Sequence, residues 1–276
     1  SPGAPPIQGV SLSPAAAKRP ILPPARNSPR AQPMLRSPLP DDHVAVWWLP
    51  VEDAGADWAR LERGLSGAER ERAARFRFEA DRRAFIAAHA LVRVMLSACD
   101  GTVPPGAWRF TATAHGRPEI AADMTADRAG RAPLRFNLSH TRRLVAAAVC
   151  RGHDVGIDTE DAARGTLTMD LAAHFFAPAE VAQAQALPGG IRRDALYGFW
   201  TCKEAYIKAV GLGLSLPLDS FAFTLDPRTL APLSIGFAQG GGDDPGGWLF
   251  RRLVPMPDHP LALALRDTHR ARSLAP

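Results

Sequence analysis

The stretch Phe199–Leu214, FWTCKEAYIKAVGLGL, decides how this chain of 276 residues is read. It gathers a tryptophan, two lysines and a glutamate in one run of helical composition and stops on glycines, which take positive φ at a helix C-terminus at little steric cost. The pattern predicts a helix from Arg192 to about Val210, ended by Gly211 and Gly213. The turn Pro188-Gly189-Gly190 separates it from a shorter helix over Ala179–Ala186. Glu204 and Lys208 stand at i and i+4 with the acid first, the favourable order for an exposed helical pair worth about 0.2–0.5 kcal/mol. That ordinary pairing accounts for them unless something else converges on the same place. Composition adds a reason to look: of the 33 basic residues only three are lysines, and Lys203 and Lys208 are two of them. Lysine offers a compact ammonium where arginine offers a planar fork, which suits a tight contact with a phosphate or a carboxylate.

Upstream, Leu144–Cys150 (LVAAAVC) and Val155–Glu160 (VGIDTE) are β-prone runs separated by Arg151-Gly152-His153-Asp154, and they read as an antiparallel hairpin. Side chains alternate across a strand, so Asp158 and Glu160, two residues apart, project from one face. Two unit charges about 4 Å apart repel by roughly 4 kcal/mol at an effective dielectric near 20. A lone Asp-x-Glu is better read as a solvated acidic strand end. A divalent cation is the other way to compensate the repulsion, and oxygen donors with open positions for water and phosphate suit Mg²⁺.

The apolar fraction of 46% and the charged fraction of 22% are those of a globular protein, and the longest wholly apolar run, Leu144–Cys150, is far too short to span a bilayer. No basic segment followed by an apolar one opens the chain, so the expected setting is cytoplasmic, away from membranes. Cys99, Cys150 and Cys202 are odd in number and widely spaced, and read as reduced, buried thiols. The formal charge of +5 is carried by Lys18, Arg19, Arg26, Arg30 and Arg36, so residues 41–276 balance at zero and lack the footprint of a nucleic-acid binder. Residues 1–40, rich in Pro, Ser and Ala, read as a disordered basic tail. The body follows as residues 41–150 and 151–276.

Val44–Pro50 (VAVWWLP) reads as the first strand of the body. Ser66, three residues before Glu69, is placed to cap a helix, and a second helix over Arg82–Cys99 carries Phe85, His89, Val92, Met95 and Leu96 at helical spacing. On that apolar stripe His89 is better read as a satisfied core histidine than as a ligand. Between Arg60 and Arg93 nine arginines face five acids, which fits a solvated face as well as a binding patch. Strands are expected near Trp108–Thr113, Phe221–Leu225, Leu233–Phe237, Trp248–Val254 and Leu261–Leu265. There is no GxxxxGK[ST] loop for the commonest route to nucleotide phosphoryl transfer.

Four motifs, in order, carry a resemblance: Gly116-Arg117-Pro118, Asn137-Leu138-Ser139-His140, Gly156-Ile157-Asp158-Thr159-Glu160 and Trp200-Thr201-Cys202-Lys203-Glu204-Ala205-Tyr206-Ile207-Lys208. From about His43 to Leu265 the chain resembles the 4′-phosphopantetheinyl transferases of the surfactin-synthetase-activating type. The resemblance implies an α+β pseudodimer: two similar halves with antiparallel sheets, a coenzyme A cleft between them, and a monomeric molecule. It implies Mg²⁺-dependent transfer of the phosphopantetheine arm from coenzyme A to a serine hydroxyl of an acyl or peptidyl carrier protein, releasing adenosine 3′,5′-bisphosphate. Matched motif by motif, Asp158, Glu160 and Glu204 would hold Mg²⁺, Glu204 or a metal-bound water beside it would take the serine proton, and Lys208 would sit on the phosphates. Arg117, Ser139 and His140 would contact the nucleotide phosphates, with Arg72 and Arg83 joining from the basic patch. Glu69 departs from relatives that carry a base there. Phe199 and Trp200 read as packing residues, and Cys202 and Tyr206 carry no assigned role. The competing reading is a non-enzymatic protein that binds nucleic acid or an acidic partner through the Arg60–Arg93 patch, and it leaves the carboxylates unexplained.

Overall fold

The computed structural model describes residues 8–12, 38–54, 58–125, 130–238 and 243–267. By its internal contacts the chain divides into two units, Ser1–Gly152 and His153–Pro276.

In the first unit the strands are β1 (Gln8–Leu12), β2 (Val44–Pro50), β3 (Phe110–Ala112), β4 (Pro118–Ile120), β5 (Leu134–His140) and β6 (Leu144–Arg151), and the helices are α1 (Trp58–Arg63), α2 (Gly67–Ala74) and α3 (Glu79–Asp100). Four strands form an antiparallel sheet in the order β1-β2-β6-β5, and β3 and β4 pair apart from it. Ala45, Trp47 and Leu49 of β2 and Val145, Ala147 and Val149 of β6 alternate onto one face, where they meet Ala88, Leu91, Val92, Met95 and Cys99 of α3. The 22 residues of α3 thus lie on the sheet along one apolar stripe and stop at Gly101, whose φ is 87°. Ser66 caps α2 as its spacing predicts: its hydroxyl accepts from Glu69 N–H while the Glu69 carboxylate accepts from Ser66 N–H.

The structure departs from the reading of residues 1–40 as wholly disordered. Gln8–Leu12 pair antiparallel with β2, and the Trp48 indole N–H donates to Gln8 Oε1. Leu39 is also built in, 1% exposed, with its N–H bonded to Cys99 O and its carbonyl accepting from Arg151 Nε. An exposed edge of β2 offers unpaired backbone groups, which a five-residue strand satisfies without any hydrophobic period in the sequence. The rest of that segment, residues 1–7 and 13–37, lies outside the described residues.

The second unit holds β7 (Val155–Thr159), α4 (Met169–Phe175), α5 (Pro178–Ala186), α6 (Gly189–Val210), β8 (Phe221–Leu225), β9 (Pro232–Phe237), β10 (Trp248–Met256) and β11 (His259–Arg266). Its main sheet is antiparallel in the order β10-β11-β7, and β8 pairs with β9. The architecture is mixed α and β with antiparallel sheets, as the sequence reading expects. One expectation fails: β6 and β7 are not a hairpin. β6 pairs with β2 and β5, β7 pairs with β11, and Arg266 N–H already bonds to Asp154 O. All eight residues of β6 and all five of β7 are buried, so each strand needs a buried sheet, and the tight turn Thr141–Leu144 has already given β6 its hairpin partner.

What brings α6 onto the sheet is small-residue packing. Ala205 and Ala209 of the helix share the core with Ala262 and Ala264 of β11. At Gly156 a Cβ would stand 2.0 Å from Ala205 O and 2.6 Å from Ala209 N. Only glycine admits so close an approach of helix and strand backbones. Gly211 closes α6 at φ 80°, and among the described residues no helix is long and apolar enough to cross a membrane.

Candidate functional site

Trp200, Glu204 and Lys208 follow one another at intervals of four along α6, so they line one face of the helix. That face meets the end of β7. The Trp200 indole N–H donates to Glu160 Oε1 at 3.0 Å, and the Lys208 ammonium donates to Asp158 Oδ1 at 2.6 Å and to Ile157 O at 3.4 Å. Glu204 stands between these two contacts along the helix, and its Oε1 is buried with no hydrogen-bond partner among the described residues. Asp158 is 4% exposed, while Lys208 keeps 30% of its side chain in solvent.

Burial and mutual repulsion set the charges here. Burial pushes the Glu204 carboxyl up to about 7, Asp158 and Glu160 push the same way, and Lys208 opposes them. Burial also raises Glu160, helped by the charge of Asp158 and opposed by the Trp200 N–H, Lys208 and Arg164. The three carboxylates therefore feel one another. Among the described residues, however, no three His, Cys, Asp or Glu side chains stand close enough together to form a ready metal cage. In their chemistry they fit a hard divalent cation: all donors are oxygens, the acids repel, and a buried carboxylate oxygen lacks a donor.

The two lysines have different places. Lys208 belongs to the carboxylate face. Lys203 falls on the stripe Phe199, Lys203, Ile207, is fully buried, and pairs with the equally buried Glu180 at 2.8 Å. Its ammonium also donates to Leu218 O and Phe221 O, and the Glu180 carboxylate accepts from Ala177 N–H and Phe223 N–H. Burial drives Glu180 up and Lys203 down, each held back by the charge of the other. This is a strut between α5, α6 and β8, and the carboxylate contact is what the rare lysine serves at this position. Sequence reasoning missed Glu180. Its place at the third position of a helix opening with Pro178 was the available sign. Trp200 packs near Phe176, 6.3 Å between ring centroids, as its reading as a packing residue anticipates; its bond to Glu160 goes beyond that. Tyr206 sits in a cluster with Phe221, Phe237 and Trp248, and burial pushes the Cys202 thiol up to about 12, which makes it inert.

In the first unit Arg117 follows Gly116, which has φ 80°, at the β3–β4 turn, and its guanidinium donates to Glu119 at 2.5 Å. Ser139 is buried and His140 exposed at the end of β5. Arg72 lies over the Phe85 ring at 5.4 Å, and Arg83 bonds to Glu79 at 2.9 Å while lying over Trp58. Glu69, the departure from the expected base, is the hub of a structural network. It accepts from Arg93 Nε at 2.9 Å and lies 3.0 Å from His89 Nδ1. Arg93, 2% exposed, also donates to Pro105 O and Trp108 O. Burial pushes Glu69 up, but the bonds from His89 and Ser66 and the charge of Arg93 outweigh it and hold the carboxyl down at about 2. His89 is thus held by a carboxylate as a partly exposed histidine at the edge of the core, and Arg93 leaves the basic patch for the interior.

Two family descriptions match the chain in tandem: 4′-phosphopantetheinyl transferase, N-terminal, over residues 47–151, and 4′-phosphopantetheinyl transferase superfamily over residues 154–264. The chain is 33% identical over 217 residues to the 4′-phosphopantetheinyl transferase HetI of Nostoc sp., covering 79% of this chain and 85% of that one. It is 31% identical over 161 residues to the 4′-phosphopantetheinyl transferase Sfp of Bacillus subtilis, covering 58% of this chain and 66% of that one. A solved holo-(acyl-carrier-protein) synthase from Bacillus anthracis, in complex with CoA (3′,5′-ADP), covers 41% of this chain and 94% of that chain at 19% identity and TM-score 0.32, too slight a likeness to carry an argument.

Proposed function

The chain belongs to the 4′-phosphopantetheinyl transferases of the surfactin-synthetase-activating type, which are enzymes, and from that premise we propose that it moves the phosphopantetheine arm of coenzyme A onto a serine hydroxyl of an acyl or peptidyl carrier protein. The observation that carries the reading is the meeting of Asp158, Glu160, Glu204 and Lys208 where β7 ends against α6. Asp158, Glu160 and Glu204 would hold Mg²⁺. When bound, the ion supplies countercharge to the pyrophosphate and to the leaving adenosine 3′,5′-bisphosphate.

The chain's own groups do the remaining work. Glu204 is the carboxylate placed to accept the proton of the carrier serine, and its Oε1 is the buried atom left without a hydrogen-bond partner among the described residues. The serine oxygen then bonds to the phosphorus of the arm as the bond to the leaving nucleotide phosphate breaks. Lys208, one turn further along α6 and partly in solvent, can leave Asp158 for a phosphate oxygen. Trp200 holds Glu160 against the repulsion of Asp158. In the first unit Arg72, Arg83, Arg117, Ser139 and His140 would take the nucleotide phosphates. The Arg83–Glu79 pair is exposed and screened by solvent, so exchanging the carboxylate for a phosphate costs little.

The same proposal takes the two units as similar halves that bind coenzyme A between them, and its support is that each unit lays one 22-residue helix on an antiparallel sheet. A cytoplasmic monomer that uses neither membrane nor nucleic acid completes it. The test is to incubate the protein with an apo carrier protein, coenzyme A and Mg²⁺ and to weigh the carrier. A gain of the phosphopantetheine mass, lost when the metal is chelated, is the expected result, and no gain across several carriers would refute it.

A further inference from the structure

The residues that carry Glu160 are clasped by the turn between β10 and β11. Met256 pairs with His259, leaving Pro257 and Asp258 as the two turn residues, with Asp258 at φ 56°. The turn and the start of β11 give three bonds to the end of β7 and the loop after it: Asp258 O accepts from Ala162 N–H at 2.8 Å, and Pro260 O accepts from Glu160 N–H at 3.3 Å and from the Thr159 hydroxyl at 3.0 Å. Arg193 of α6 secures the turn from the other side through Asp258 Oδ1 at 2.8 Å.

Inside the clasp lies His259, with none of its surface exposed. Its Nδ1 faces Pro257 O at 2.9 Å, and since a carbonyl can only accept, that nitrogen donates. Its Nε2 is buried without a hydrogen-bond partner among the described residues, and the nearest charged group is Asp161 Oδ2 at 4.0 Å. That distance is about 1 Å beyond hydrogen-bonding range. Asp161 in turn accepts from Ala163 N–H and directs the chain away from Glu160. A fully buried polar ring with one nitrogen left without a partner calls for a reason other than packing.

Resting on the reading of Asp158, Glu160 and Glu204 as a cation site, we propose that His259 is a positioning residue of that site: by donating to Pro257 O it fixes the β10–β11 turn, whose Asp258 and the adjoining Pro260 hold residues 159–162, from which Glu160 is presented to a divalent metal. Glu160 needs such a hold. The Trp200 N–H steadies only one of its oxygens, so the course of the backbone that carries it decides where the other one points.

The test uses the full chain, with Mn²⁺ as the probe titrated by calorimetry in the presence of coenzyme A. His259→Leu removes both ring nitrogens, and His259→Asn keeps only a donor towards Pro257 O. Cation affinity is expected to fall at least 10-fold in the first variant and at least 3-fold in the second. The thermal midpoint without metal should stay within a few degrees, coenzyme A affinity without metal should be unchanged, and kcat should return towards the wild-type value at saturating metal. Should His259→Leu not fold, His259→Asn decides alone. Wild-type cation affinity in the folded variant, whether or not its thermal midpoint drops, would overturn the proposal while leaving the cation site standing. A wild-type chain that binds no Mn²⁺ would overturn both.

Discussion

The Cβ that Gly156 lacks would lie 2.0 Å from the carbonyl oxygen of Ala205. Helix and strand backbones touch at this point, two residues before Asp158 and one after Glu204. The spacing of the carboxylate group is thus set by the absence of a side chain.

Gly156→Ala should therefore push α6 away from β7. Overpacking costs about 1–3 kcal/mol and more when the obstacle is backbone, so a loss of at least ~3 kcal/mol in chemical denaturation is expected. Carrier modification should fall further than stability alone explains, because Lys208 separates from Asp158. Unchanged stability would mean that the approach is looser than the 2.0 Å indicates.

Removing one partner of the buried Lys203–Glu180 pair leaves an uncompensated charge in the interior, which costs about 3–5 kcal/mol. Lys203→Met should show a loss of that order by denaturation, and Lys203→Met with Glu180→Leu should regain much of it. A single variant as stable as the wild type would remove the strut from this account.

Acid and base limits of stability follow from two carboxyls with opposite shifts. Glu69 is held down at about 2 from an ordinary 4.5, so the folded state binds fewer protons than the unfolded one in that window. Its contribution is complete above 4.5 and is lost as pH falls towards about 2. Glu204 is raised from 4.5 to about 7, so its contribution is complete below 4.5 and is lost as pH rises through about 7. In metal-free protein, Glu204→Gln should lose the decline between those values, and Glu69→Gln should lose the acid-side decline. Denaturation midpoints measured from pH 3 to pH 8 check both, and identical profiles in wild type and variants would contradict the shifts.

Leu39 is buried and its carbonyl serves the buried Arg151. Deleting residues 1–40 should therefore cost about 2 kcal/mol from the lost leucine alone. Deleting 1–37 should spare that term and expose only the β2 edge. Equal stability of the two truncations, measured by thermal melting, would show that Leu39 contributes nothing.

The long elements were legible because their signals are local. Ser66 and Glu69 mark a capping box, and the α3 stripe repeats at helical spacing. Gly211 ends α6, and the four final strands lie within about two residues of their expected ends. Pairing was less legible, because a strand run does not name its neighbour: β6 and β7 are adjacent in sequence, yet they belong to different sheets. β1 carries no period at all, and its place depends on an edge formed more than thirty residues later. At the site, Glu204 and Lys208 could be placed on one helix face from spacing, whereas the Trp200–Glu160 bond, the His259 clasp and the burial of Lys203 depend on contacts across the fold.

The central claim is that Glu204, half-buried beside the acids at the end of β7, is the group through which the carrier serine loses its proton. Glu204→Gln, shown by circular dichroism to be folded, should transfer phosphopantetheine to an apo carrier about 10²–10⁴-fold more slowly than the wild type, read by mass spectrometry of the carrier at saturating coenzyme A and Mg²⁺. A folded variant that modifies the carrier at the wild-type rate would contradict it.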